Sequence, residues 1–275
     1  MLIGLIGCGR VGVTIFSILK EQHKITGVYD VVKENEKNAA RLLKVRDNPV
    51  HREIVRRSQA LFIATPDDMI RRAYMKLLND ICGAKYIFHF SGLHPAEVLP
   101  KKKGIYRASI HPFASFPALS ARPGKKHFLL FVQGDVAAVR KARAIFNPRY
   151  FTLRTLKRKD KTMCHLTGVF ASNLLVGLVS SVNDIARKIG WKDKEIKRFV
   201  FPLIAEALKN FEHNGPDKAL SGPLQRGDTR TVEIHLKALR KDKELLAIYK
   251  SLSLYILNNL TSASKKTELK KLLEE

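Results

Sequence analysis

The first twelve residues restrict the fold of this chain more than any others. Leu2-Ile3-Gly4-Leu5-Ile6 is a short apolar run without polar alternation, and Gly7-Cys8-Gly9-Arg10-Val11-Gly12 follows it directly. An unbroken apolar run of that length reads as a strand buried on both faces. The glycines allow a tight turn and let backbone N–H groups approach a pyrophosphate as the next helix opens. That spacing carries little alone. It gains weight from Val28-Tyr29-Asp30, which ends the next apolar run and puts a carboxylate 18 residues after Gly12. There it can accept hydrogen bonds from the adenosine ribose hydroxyls of a dinucleotide. Gly7, Gly9, Arg10, Val11, Gly12 and Asp30 are therefore the expected cofactor-binding residues.

Asp30 also bears on which dinucleotide is bound, because a carboxylate at that position repels a 2′-phosphate. NAD is favoured. Arg10 and Lys33 lie close by in sequence and leave NADP open. Thr65 and Pro66 end a third apolar run on the sheet edge where such folds bind ligands, so they join the expected cofactor contacts. Asp67 reads equally as a helix cap.

The first half continues to alternate apolar runs with amphipathic segments, the pattern of a parallel sheet wrapped by helices. Strands are expected at 2–6, 25–29, 60–65, 86–90, 105–109, 128–132 and 150–153, and helices at 11–20, 34–43, 67–78 and 136–146. From about Lys161 the pattern is helical: a long helix to about Lys188, stopped near Gly190, then helices at 194–212, 228–240, 243–257 and from Ser264. The fold class is α/β, a Rossmann dinucleotide-binding domain over 1–155 followed by an all-helical domain over 156–275, with the basic linker Arg154–Asp160 at the boundary.

Charge stands out in bulk: 50 Lys plus Arg against 25 Asp plus Glu give a formal +25. Basic clusters at Lys101-Lys103, Lys125-Lys126, Arg154–Lys161 and Lys265–Lys271 are not interleaved with the aromatics that base stacking requires, so nucleic acid is not an expected partner. Three cysteines without paired spacing suggest neither a disulfide framework nor a thiolate zinc site. The chain starts with a strand-like run rather than a leader, which places it in the cytoplasm. Met163–Val182 is long and apolar enough to span a membrane, but it carries His165 and Asn173, and a buried central helix accounts for it better.

More particular segments lie further on: Ser91-Gly92, Ser109-Ile110-His111-Pro112-Phe113, Phe170-Ala171-Ser172-Asn173, and Ser221-Gly222-Pro223-Leu224-Gln225-Arg226-Gly227-Asp228. Together they resemble the two-domain Rossmann-like proteins with a C-terminal domain of unknown function, which are related by analogy to pyrroline-5-carboxylate reductase and deazaflavin-dependent NADP oxidoreductases. The resemblance implies a helical domain similar to the C-terminal domain of 6-phosphogluconate dehydrogenase and a homodimer, and it adds Ser91 and Gly92 to the cofactor contacts. In the related beta-hydroxyacid dehydrogenases a lysine precedes an asparagine by four residues. Here Val169 holds that position before Asn173.

His165, Gly168, Ser172 and, slightly offset, Asn173 share one helix face, and Lys161 extends it one turn earlier. Histidine suits proton transfer near neutral pH. His165 is the first candidate, with Lys161 as another substitute for the missing lysine. His111, held extended before Pro112, is a further candidate. Ser172 and Asn173 would orient a substrate, and Arg226 would anchor an anionic one, unless it pairs with Asp228, itself the expected cap of the following helix. No metal site is expected, since the remaining histidines are scattered. The function that follows is an NAD(P)-dependent oxidoreductase acting on a small, anionic carbonyl or imine substrate in the interdomain cleft. The alternative is a non-catalytic dinucleotide-binding or sensing protein, which the absent lysine favours.

Overall fold

The first strand, β1 (Leu2–Ile6), has no polar alternation because the sheet around it is covered on both faces. The computed structural model describes residues 1–45, 51–82, 86–116, 127–261 and 263–275; the basic pair at 125–126 lies outside them. β1 is followed by α1 (Arg10–Leu19), β2 (Lys24–Tyr29), α2 (Lys33–Leu43), α3 (His51–Arg57), β3 (Ala60–Ile63), α4 (Ile70–Leu77), β4 (Tyr86–His89), β5 (Tyr106–Pro112), β6 (Phe128–Gly134), α5 (Val136–Ile145) and β7 (Phe151–Thr155). The sheet is seven-stranded in the order β2-β1-β3-β4-β5-β6-β7. β1 to β5 are parallel, β6 runs antiparallel to β5, and β7 is parallel to β6. Every expected strand is present. The reversal at β6 is new.

Two apolar layers sandwich this sheet. Leu5, Phe16, Val28, Phe62, Leu130 and Phe146 belong to one, which includes α1, α2 and α5. Ile6, Ile54, Leu61, Ile63, Tyr74 and Ile87 belong to the other, with α3 and α4. No periodicity in the sequence marks α3, because a seven-residue helix with only Ile54 and Val55 buried is too short to show a repeat. Since β2 lies on one side of β1 and β3 on the other, the chain changes direction at the C-terminal ends of β1 and β3, where a crevice opens.

Beyond β7 come α6 (Lys161–Val169), a π turn (Phe170–Leu174), α7 (Leu175–Lys188), α8 (Asp193–Asn214), α9 (Pro216–Ala219), α10 (Pro223–Arg226), α11 (Thr229–Leu239), α12 (Lys243–Asn259) and α13 (Lys266–Glu274). Two compact units result, Met1–Asn173 and Leu174–Glu275. The division falls inside the long helical run rather than at 155/156, because α6 returns to the sheet through Lys161. In the second unit Leu224, Val232, Leu257, Leu269 and Leu273 form one cluster, and Ala186, Ile196 and Val200 another. Asp228 caps α11 by accepting from the Thr231 N–H at 3.0 Å, as the sequence leads one to expect.

The expectation that the apolar stretch from Met163 is buried within its own chain is corrected. Met163, Phe170, Leu174 and Val176 are 50–67% exposed, as is Ile189 just after α7. The run Arg158–Lys188 is long and apolar enough to cross a membrane by length and composition, and none of its apolar window is buried. Its start, however, is held by the sheet: the Lys161 ammonium donates to the hydroxyl of Ser109, on β5. An apolar composition demands cover for a face but does not say what supplies it.

Candidate functional site

The glycine loop after β1 has the geometry a pyrophosphate needs. Gly7 sits at φ +93°, and a Cβ there would lie 2.6 Å from the carbonyl carbon of Ala64. At Gly12 a Cβ would be 2.8 Å from the Ala64 methyl, so helix and strand close only without one. A Cβ at Gly9 would make only ordinary van der Waals contact, 3.8 Å from the Ala64 carbonyl oxygen, and Gly9 precedes α1, whose first turn has no acidic residue and no side-chain cap. Its N–H groups are free to meet an anion.

The adjoining cleft, about 500 Å3, is lined by Gly7, Gly9, Asp30, Thr65 and Pro66, as expected, together with Arg72, Lys76 and His51. Asp30 is 9% exposed. One carboxylate oxygen accepts from the Cys8 N–H at 2.6 Å and the other from the Val32 N–H at 2.8 Å. Each oxygen keeps a lone pair for a further donor. The Thr65 hydroxyl is buried and, among the described residues, has no hydrogen-bond partner. An open cradle and an orphaned hydroxyl on the same cleft fit a dinucleotide. Arg10 and Val11 do not line the cleft; Val11 packs on the core.

A second cluster follows along the same strand edge. Asp67 does not cap a helix; its carboxylate accepts from the Ser91 hydroxyl at 2.8 Å, tying the loop after β3 to the loop after β4. The Ser91 carbonyl accepts from the Ser109 hydroxyl at 3.1 Å and from the Lys161 ammonium at 3.3 Å, and Lys161 also donates to Ser109 at 2.7 Å. Beside this network His111 and His165 pack edge to face with centroids 5.6 Å apart. Gly92 fits between them only because it lacks a side chain: a Cβ would stand 2.5 Å from Nδ1 of His165 and 2.7 Å from Cε1 of His111.

Lys161, which the sequence offers as an extension of the polar helix face and as a substitute for the missing lysine, is 2% exposed. Burial pushes its ammonium down to about 8, against the opposing pull of Cys164, Asp67 and Glu97. Burial, then the positive charges of Lys161 and His165, push His111 down to about 4, so at neutral pH His111 is an uncharged imidazole. His89, set aside in the sequence as scattered, is fully buried under the same loop, its Nε2 without a partner among the described residues. Burial and Lys161 hold it near 3. The signal for Lys161 was its place four residues before His165 on an otherwise apolar helix.

Other predicted residues fall outside this core. The Ser172 hydroxyl donates to the Gly168 carbonyl at 2.6 Å and to the Asn173 side chain at 3.0 Å, and Asn173 is exposed. Arg226 is exposed on α10 in the second unit and, among the described residues, makes no salt bridge to Asp228. Among the described residues no group of three His, Cys, Asp or Glu side chains converges as metal ligands would.

Sheet order, switch-point cleft and glycine loop define a Rossmann-type α/β protein with a helical C-terminal region. Residues 128–256 match the family described as a domain of unknown function, DUF2520. A candidate NADP oxidoreductase from Bacteroides fragilis is 20% identical, with 93% of this chain and 97% of that one covered at a TM-score of 0.74. A Thermotoga maritima protein is 21% identical over 99% and 98% of the two chains, with a TM-score of 0.64. A pyrroline carboxylate reductase from Plasmodium falciparum, solved with NADP bound, is 14% identical over 99% and 98%, with a TM-score of 0.60. These likenesses bear out the resemblance at the level of fold. A comparison with curated proteins gives no match.

Proposed function

We propose that the protein is an NAD(P)-dependent oxidoreductase acting on a small anionic carbonyl or imine compound. One observation carries the reading: the imidazoles of His111 and His165 converge over Gly92 on the strand edge that also holds the dinucleotide cleft. A bound nicotinamide cofactor would supply or accept the hydride. The chain's own residues would do the rest. The glycine loop and α1 bind the pyrophosphate, Asp30 takes the ribose hydroxyls, and Thr65 donates to the cofactor. His165 holds the proton for the substrate oxygen or nitrogen, and His111, uncharged at neutral pH, orients the reacting group by a neutral hydrogen bond. Lys161 stands behind both and makes the site favourable for a carboxylate.

Asp30 favours NAD, while Arg72 and Lys76 on the same cleft offer cations to a 2′-phosphate. The exposed apolar residues of α7 and α8, such as Val176, Phe199 and Leu203, support a homodimer, and we place the protein in the cytoplasm. A second reading, a dinucleotide sensor without turnover, is favoured by Val169 at the position where a catalytic lysine would stand.

Titration with NADH and NADPH, followed by nicotinamide fluorescence and thermal shift, tests the cofactor reading. Saturable tightening supports it and ranks the two; no response to either sinks it. Turnover of a carbonyl acid or imine then separates enzyme from sensor.

A further inference from the structure

A formal charge of +25 is far larger than one dinucleotide site requires. Part of it gathers at the N-terminal ends of β4 and β5, on the sheet edge opposite the dinucleotide cleft. Lys101, Lys102, Lys103, Tyr106 and Arg140 line a groove of about 600 Å3 there. Arg140 and Val136 also line a second depression, about 340 Å3, that reaches Arg143 and Thr155. The two adjoin around the start of α5 and form a track.

The one carboxylate in the first groove does little to neutralise it. Asp135 turns toward Arg107, taking its Nε–H at 3.2 Å and its backbone N–H at 2.9 Å. Lys102 is tied to the Leu78 carbonyl at 2.6 Å. Among the described residues no carboxylate comes within salt-bridge distance of Lys101, Lys103, Arg140 or Lys141.

The aromatic rings that the basic runs lack in sequence arrive through strand pairing. Tyr86 and Tyr106 are register partners on β4 and β5, and their rings stack at 5.8 Å. The Lys141 ammonium sits 5.3 Å above Tyr86, and Tyr106 is 41% exposed. Cations that follow a phosphate backbone beside an accessible ring are the combination that holds unpaired bases. A duplex keeps its base faces stacked inside and offers the ring nothing.

We propose that this track binds single-stranded nucleic acid, with Lys101, Lys103 and Arg140 on phosphates and Tyr106 against a base. The site is independent of the redox reading, since it lies on the other edge of the sheet.

Fluorescence anisotropy with a labelled single strand of about a dozen nucleotides tests it on the whole chain. Saturable binding is expected, and the triple variant Lys101→Glu, Lys103→Glu, Arg140→Glu should weaken it by about tenfold or more and lower the salt slope by about two. Lys194→Glu, Lys197→Glu, Arg198→Glu changes the net charge equally, on α8, and should spare it. Tyr106→Ala should cost about fivefold or more, and Tyr106→Phe should not. Equal weakening by both triple variants, wild-type affinity in Tyr106→Ala, equal competition by inorganic polyphosphate, or displacement by NADPH would each overturn the proposal, as would no binding at low salt.

Discussion

His111 and His165 meet edge to face at an interplanar angle of 73°, and the backbone of Gly92 packs against both rings, with a Cβ there 2.7 Å from the first and 2.5 Å from the second. Gly92→Ala must therefore displace one imidazole. Turnover should fall by about a hundredfold, since ångström-scale misplacement of a reacting group costs that much. Gly92, expected from the resemblance to touch the cofactor, does not line the dinucleotide cleft, so NADH affinity should stay roughly unchanged. Parallel steady-state kinetics and fluorescence titration check this, and unimpaired turnover would remove the pair from the site.

Lys161→Met removes the positive charge behind His111 and the donor to Ser109 and the Ser91 carbonyl. The His111 pKa should rise from about 4, though burial, the larger cause, remains. NMR titration of the imidazole reads the shift directly. The Ser91 carbonyl and the Ser109 hydroxyl each lose one donor but keep the hydrogen bond between them, so a stability loss of about 1 kcal/mol should accompany it. A His111 titration that does not move would mean its environment is set without Lys161.

Acid sensitivity follows from the two depressed histidines. In the unfolded chain both titrate near 6.5, whereas in the folded protein His111 holds out to about 4 and His89 to about 3. Below pH 6.5 the unfolded state takes up protons that the folded state refuses. The stability these groups contribute is thus full above pH 6.5 and is lost as pH falls toward 4 and then 3. Urea midpoints should drop between pH 7 and pH 5, and less steeply in His111→Asn. Identical slopes in the two proteins would contradict the assignment.

Arg72 and Lys76 face the cleft in which Asp30 stands. Replacing both with alanine should weaken NADPH by about tenfold and NADH by much less, because only the former carries the extra phosphate. Equal losses would show that the two cations act on the pyrophosphate or on the general field.

All seven strands and most helices could be read from the chain because apolar runs and helical spacing report burial directly. The direction of β6 could not, since a strand covered on both faces looks the same whichever way its neighbour runs. The π turn at Phe170–Leu174 left no mark, because one extra residue in a turn changes hydrogen bonding and not composition. At the site, His111, His165 and the glycine loop were legible by chemistry. Lys161 was undervalued because a lysine ordinarily reads as surface, and its burial depends on Ser91 and Ser109, 70 and 52 residues away in the chain. Asp67 reads equally as a cap and as a site residue in the sequence for the same reason: its partner, Ser91, comes from another strand's loop.

The two backbone N–H groups fastened by Asp30 belong to Cys8, in the loop after β1, and Val32, in the loop after β2. The clasp consists of protein atoms alone, so the loop's conformational freedom is surrendered during folding and not at the encounter with a dinucleotide. A ligand meets a rigid receptor, and association should proceed in one kinetic phase without a slow ordering step. Asp30 thereby acts as preorganisation as well as recognition, and a substitution there should reveal itself first as a second, slower phase in stopped-flow binding.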